Sequence, residues 1–225
     1  MLSWLPENVS TYGGKIDGVF ALIYYIVGAW FLLAEGLLIY FVVRYRRKEG
    51  RKAAYVPAND GKTLSWVLIP VGLVLLFDLA IDAAGAEAWK EVKLNLPPPG
   101  QTIRVRGRQF AWEFTHPGQD GQLGTPDDIQ TLNQLHVPVA TVVQFSLESS
   151  DVIHSFWLPF LRLKQDAVPG RTIRGWFEAT KAGEFPIGCA EICGMGHGNM
   201  KGMLHVYSPE NYQAWLASQY EETEE

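Results

Sequence analysis

Cys189-Ala190-Glu191-Ile192-Cys193-Gly194-Met195-Gly196-His197-Gly198-Asn199-Met200 gathers two thiols, an imidazole and the thioether of Met200 into one short segment. A second imidazole, His154, lies upstream in Asp151-Val152-Ile153-His154-Ser155-Phe156. Soft and borderline donors of this kind suit copper or zinc. Met200 favours copper, because zinc rarely takes a thioether while copper sites use Met as a weak axial ligand. Cys189 and Cys193 are the 2 cysteines of the chain, so no other thiol competes for either. Two thiolates can bridge two copper ions, with His154 and His197 supplying one imidazole each. Met200 then serves one copper axially, and a backbone carbonyl, that of Glu191 between the cysteines, serves the other. A disulfide or a structural zinc site are the plainer alternatives. The whole donor set in register favours copper, and a site that keeps one geometry in both redox states suits electron transfer.

Outward from this loop, β-branched and aromatic residues alternate with turn residues. Strands are expected at Thr102–Arg106, Phe110–Phe114, Thr141–Leu147, Thr172–Phe177 and Met203–Tyr207. Short strands at this spacing imply a sandwich or barrel over residues 101–208. Residues 209–225 read as a closing helix, Pro209–Tyr220, followed by an acidic tail.

The first hundred residues differ in kind. Val19–Val43 is apolar except for Glu35, and as a helix it would run about 37 Å, enough to cross a ~30 Å hydrocarbon core. Leu64–Ile81, interrupted by Asp78, would run about 27 Å, with Pro70 and Gly72 able to bend it. Leu96-Pro97-Pro98-Pro99-Gly100 stops any helix, so residues 82–100 read as a helix end and linker. The start of the chain lacks the basic, apolar and cleavage regions of a signal peptide, so the first helix is expected to direct its own insertion. Between the two runs stand Arg44, Arg46, Arg47, Lys48, Arg51, Lys52 and Lys62 against Glu49 and Asp60. The positive-inside rule puts this connection in the cytoplasm, and both termini and the metal domain outside the cell's inner membrane.

These features resemble subunit II of the haem-copper oxidases, the subunit with the binuclear CuA centre. The likeness rests on the two hydrophobic runs, Gly107-Arg108-Gln109-Phe110-Ala111-Trp112, the His154 segment, Leu163–Arg171 and the Cys189 loop. It implies a membrane-anchored two-helix hairpin joined to an all-β cupredoxin-like Greek-key domain. It implies that His154 and Met200 share one copper, and that His197 and the Glu191 carbonyl share the other, with Cys189 and Cys193 bridging. It also implies that the Glu191 carboxylate helps bind Mg²⁺ at a border with subunit I, near Asp166, and that the haems belong to partner subunits. The implied function is to receive electrons, from cytochrome c or a similar donor, for O₂ reduction, with no turnover by the chain alone. A CuA-bearing nitric oxide reductase subunit is the second choice, and a membrane-anchored copper carrier a third.

Two positions depart from the family pattern. Where its members carry Trp-aromatic-Trp, with the first Trp receiving electrons, this chain has Phe110, Ala111 and Trp112, leaving Phe110 and Trp112 as candidates for that role. A Glu common at the start of the second helix is replaced by Thr63. Glu35 and Asp78, inside the apolar runs, are candidates for proton transfer or for bonding to a neighbouring helix. Residues 83–225 hold eleven Lys plus Arg against seventeen Asp plus Glu, a balance of −6 that suits a basic donor and argues against nucleic acid. Asp120, Asp127 and Asp128 lie in a glycine-punctuated loop that offers hard oxygen ligands for Ca²⁺, although its spacing is not that of an EF-hand and an acidic surface hairpin is the plainer reading.

Overall fold

The computed structural model describes residues 4–57 and 59–221. It divides into two compact units. One is the helical hairpin, residues 16–88, and the other joins residues 4–15 to residues 89–221.

The hairpin consists of α1 (Gly13–Tyr45) and α2 (Gly61–Trp89), both long and apolar enough to cross a membrane. Each is longer than the apolar run that marks it. Lipid-phase hydrophobicity marks only the segment that must avoid water, whereas the helical hydrogen-bond ladder continues until a breaker stops it. α2 therefore runs beyond Ile81 to Trp89 and passes into a π-helical turn, Lys90–Leu94, so the extended linker begins only at Asn95. Within the hairpin the Trp30 and Phe77 rings meet edge to face at 6.3 Å.

The second unit is a ten-stranded β-sandwich. One sheet contains β1 (Gln101–Arg108), β2 (Ala111–His116), β3 (Ile129–Leu132), β5 (Val142–Ser149) and β8 (Ile173–Glu178), in the order β3-β2-β1-β5-β8. The other contains β4 (Gln134–Pro138), β6 (His154–Leu158), β7 (Leu163–Ala167), β9 (Gly183–Cys189) and β10 (Lys201–Tyr207), in the order β4-β10-β9-β6-β7. Each sheet has one parallel pair, β1 with β5 and β10 with β4, amid antiparallel neighbours. This is the cupredoxin-like arrangement implied by the resemblance. β1 shows why it forms: Gln101, Ile103, Val105 and Gly107 point inward while their neighbours face out. The inward side chains meet Trp112, Phe114, Phe145, Phe156 and Phe177, all essentially buried, with Trp112 and Phe156 at 5.2 Å. The expected strand at Phe110 starts instead at Ala111, because Phe110 lies in the turn between β1 and β2.

The division of the chain also differs from the expected boundary at residue 100. Residues before α1 belong to the sandwich. Val9 N donates to Phe160 O (2.9 Å), Thr180 N to Val9 O (2.8 Å) and Thr11 N to Glu178 O (3.2 Å), and Val9 and Tyr12 are buried. The Tyr12 ring meets Trp176 edge to face at 5.1 Å. No hydropathy or strand signal marks so short a segment, because its place against the sheets is set by long-range pairing, with only the short Asn8–Ser10–Gly13 side-chain bonds local to it.

The closing helix is α3 (Pro209–Glu221); the rest of the acidic tail lies outside the described residues. α3 covers a histidine cluster. His136 is stacked between His205 (4.7 Å) and Trp215 of α3 (4.3 Å), and the buried His116 meets both His136 and Trp215. Burial, with a smaller contribution from the neighbouring imidazole in each case, depresses His116 to about 3 and His136 to about 4. Below pH ~6.5 the unfolded chain binds protons that these folded sites refuse, so their contribution is present above that pH and declines as pH falls toward 4 and 3. The urea midpoint of the purified chain should therefore fall steadily between pH 6.5 and 4, and His116→Phe should flatten that slope.

Candidate metal centre

The loop between β9 and β10 is short, tightly turned and carried on paired strands. Phe156 of β6 registers with Cys189 at the end of β9, and Ala190 N donates to Ser155 O at 3.0 Å. His154, the first residue of β6, is thereby placed beside the first cysteine. A 3-10 turn, His197–Asn199, then brings His197 and Met200 back to the second cysteine, with Met200 N donating to His197 O (3.1 Å).

The donor atoms converge. Cys189 Sγ lies 3.9 Å from Cys193 Sγ, 4.0 Å from His154 Nδ1 and 3.3 Å from the Glu191 carbonyl oxygen. Cys193 Sγ lies 3.7 Å from His197 Nδ1 and 3.8 Å from Met200 Sδ. The ligating atoms of His154, Cys189 and Cys193 all fall within 4.8 Å of one another. Both thiols are free, and their separation is far beyond the ~2.05 Å of a disulfide bond, which sets that alternative aside. His154, Cys193 and Met200 are buried and Cys189 is half-buried. Burial, reinforced by the adjacent Cys189, pushes the Cys193 thiol up to about 11, so a metal that takes the thiolate must displace a firmly held proton. Two thiols, two imidazole nitrogens, a thioether and a carbonyl form a donor set that fits copper better than zinc.

A supporting shell escaped the reading of the sequence. His154 Nε2 lies 2.8 Å from Asp151 Oδ1, which leaves Nδ1 as the nitrogen facing the thiols. Asp151 also accepts from Gln109 N (2.7 Å) and Val152 N (2.6 Å). Burial acts to raise the Asp151 carboxyl, but these bonds and that with His154 together outweigh it and hold the group below its usual range. Gln109 then reaches back, its Nε2 donating to Cys193 O at 2.6 Å. The signal available was an Asp three residues before the His and a Gln in the β1–β2 turn, which periodicity does not register. Behind the imidazole, Trp112 packs at 6.0 Å, and a Cβ on Gly107 would sit only 3.0 Å from His154 Cδ2.

The remaining candidates separate. Trp112 is fully buried, so a donor cannot touch its ring, whereas Phe110 is 37% exposed and lies against Gly194 and Gly196 of the Cys189–Met200 loop. The Glu191 side chain is exposed. Asp166 accepts from Ser155 Oγ (2.8 Å) beside β6. Thr63 lies in the first turn of α2, where Asp60 caps the helix by accepting from Thr63 N and Oγ1 at 3.0 and 2.7 Å. Glu35 and Asp78 are exposed on the hairpin. The acidic loop turns its oxygens on itself: Asp120 accepts from Gln122 N (2.8 Å), Asp127 from Thr125 Oγ1 (2.6 Å) and Asp128 from Gly124 N (2.9 Å). These bonds suit a self-capped surface loop, and among the described residues the three do not gather into a metal-binding group.

Phe110 and Gly196 are matched, since a Cβ at 196 would fall 2.4 Å from Phe110 Cδ2. Gly196→Ala should cost about 1–3 kcal/mol in urea unfolding and little when Phe110 is already Ala, giving a clear coupling in a double-mutant cycle.

Residues 102–206 match the family model described as cytochrome c oxidase subunit II, periplasmic domain. Cytochrome c oxidase subunit 2 of Synechocystis sp. is 31% identical, the match covering 95% of this chain and 75% of that protein. The alternative cytochrome c oxidase subunit 2 of Bradyrhizobium diazoefficiens is 33% identical over 96% of this chain and 83% of its own length. The crystal structure of the periplasmic domain of subunit II of cytochrome oxidase from Bradyrhizobium japonicum is 30% identical, covers 57% of this chain and 99% of that one, and superposes with a TM-score of 0.48. The chain belongs to the cytochrome c oxidase subunit II family, whose members are subunits of haem-copper oxidoreductase complexes.

Proposed function

We propose that this chain accepts electrons from an external donor, a cytochrome c, and passes them through a binuclear CuA centre to the haems of subunit I for O₂ reduction. The observation that carries this reading is the convergence of the His154, Cys189, Cys193, His197 and Met200 side chains and the Glu191 carbonyl, with contacts between 3.3 and 4.0 Å. When bound, the copper pair supplies a one-electron carrier whose surroundings need little rearrangement. The protein's part is to hold the donors still. Cys189 and Cys193 give up their protons on metal binding. Asp151 orients His154, Gln109 anchors the Cys193 carbonyl, and Phe110 covers the loop from solvent.

Electrons then enter beside the copper loop, where Phe110 reaches the surface, and Trp112 serves as the wall behind His154. The Glu191 carboxylate offers a ligand for Mg²⁺ at the border with subunit I. Glu35 and Asp78 face helices of subunit I, because a carboxylate turned to hydrocarbon is costly. The basic connection between α1 and α2 lies in the cytoplasm and the copper domain outside the inner membrane. The pairing of residues 9–11 with the sandwich supports this arrangement, since a two-span hairpin returns its ends to one side.

Loaded with Cu(II), the purified chain should bind two copper ions and show a seven-line EPR pattern, and Cys193→Ser should abolish it. One copper with a four-line pattern would overturn the assignment. With the complete oxidase, Phe110→Ala should slow donor oxidation only a few-fold and leave the copper spectrum intact; a loss of orders of magnitude would make Phe110 the obligatory relay.

A further inference from the structure

Where α1 ends, the chain does not simply trail away. Lys48 O accepts from Arg51 N at 3.2 Å, and Gly50, at φ 75°, turns the backbone back. This turn gathers Arg46, Arg47, Lys48, Arg51 and Lys52 around one cleft of ≈ 710 Å³. No carboxylate lines the cleft, and among the described residues none of the five is engaged in an ion pair. Glu49 lies in the same turn but outside the cleft lining, and together with the roughly half negative charge at the C-terminus of α1 it cannot balance five cations. Like charges folded around a single concavity repel one another unless an anion sits among them. The turn therefore has an electrostatic cost that a bound anion would remove.

We propose that this cleft binds the phosphate headgroup of an anionic membrane phospholipid. The remaining wall is made by Tyr45, Ala53, Ala54 and Val56. An apolar wall is of no use to a free phosphate but fits the glycerol and first methylenes of a lipid. The cleft lies directly at the end of an apolar helix whose last turns carry Tyr40, Phe41 and Tyr45 in mutual ring contact, an aromatic cluster of the kind that settles at headgroup depth. Its size falls within the range of ordinary ligand pockets. Basic clusters immediately beyond a membrane helix attract anionic lipid, roughly fivefold in affinity per charge. The inference rests on the membrane-spanning reading of α1 and α2, which carbonate extraction of membranes tests separately.

The experiment uses the full copper-loaded chain in neutral detergent, mixed with equal amounts of phosphatidylglycerol and phosphatidylcholine and examined by native mass spectrometry. Phosphatidylglycerol should be retained at least tenfold over phosphatidylcholine, and the Arg46→Gln, Arg47→Gln, Arg51→Gln triple variant should lose that preference. Ala53→Trp, which fills the cleft without altering charge, should lower retention as well, and an unchanged copper spectrum would show both variants to be folded. Equal retention of the two lipids, or an unaffected triple variant, would overturn the proposal. So would displacement of the lipid by millimolar inorganic phosphate, which would make this a small-anion site.

Discussion

The candidate metal centre is organised around one carboxylate. Asp151 takes hydrogen bonds from Val152 N and from Gln109 N in the β1–β2 turn, and it holds the outer nitrogen of the imidazole that begins β6. The two sheets are joined at this point by a group that accepts from both. Gln109 carries the connection onward by gripping the carbonyl of Cys193, so the metal loop, the β1–β2 turn and His154 share one hydrogen-bonded frame. A redox site gains from such rigidity, because donors held in place before the electron arrives need not be reorganised when it does.

Around this frame the sandwich supplies bulk rather than chemistry. Trp112 packs edge to face behind His154 and Phe156 continues the packing inward, so the imidazole is backed by a layered aromatic core. At the outer face, Phe110 occupies room that exists only because residue 196 has no side chain. The same glycine that makes the loop compact thus admits an aromatic cover.

What the sequence made legible was of two kinds. Donor identity at short spacing exposed the metal loop, since thiols, imidazole and thioether within a few residues have few other uses. Apolar length exposed the hairpin, since hydrophobicity must persist across a membrane. Strands with alternating burial, such as β1, were readable for the same reason. Features made by distant partners were not. Residues 9–12 have no local signature, and β3, β4, β6, β7 and β9 are too short or too mixed in burial to stand out. Asp151 and Gln109 were hidden because polar residues in loops are ordinary, and only the fold shows what they hold. The helix ends were misplaced because hydropathy reports the environment of a helix, not where its hydrogen bonding stops.

The segment before α1 has a consequence for how the molecule is made. Val9, Ser10 and Tyr12 precede both long helices, yet they pair with or pack against Phe160, Ala179 and Trp176, which follow them in the chain. Two membrane helices are synthesised between them. The sandwich cannot close its core until both helices have been threaded and the tail of the chain has followed. Completion of the β domain is therefore a late, long-range event with a large loop-closure cost, and a chain inserted with its ends on opposite sides would be left with an unfinished hydrophobic surface. Correct topology is thus written into the core of the folded domain as well as into the charges of the connecting loop.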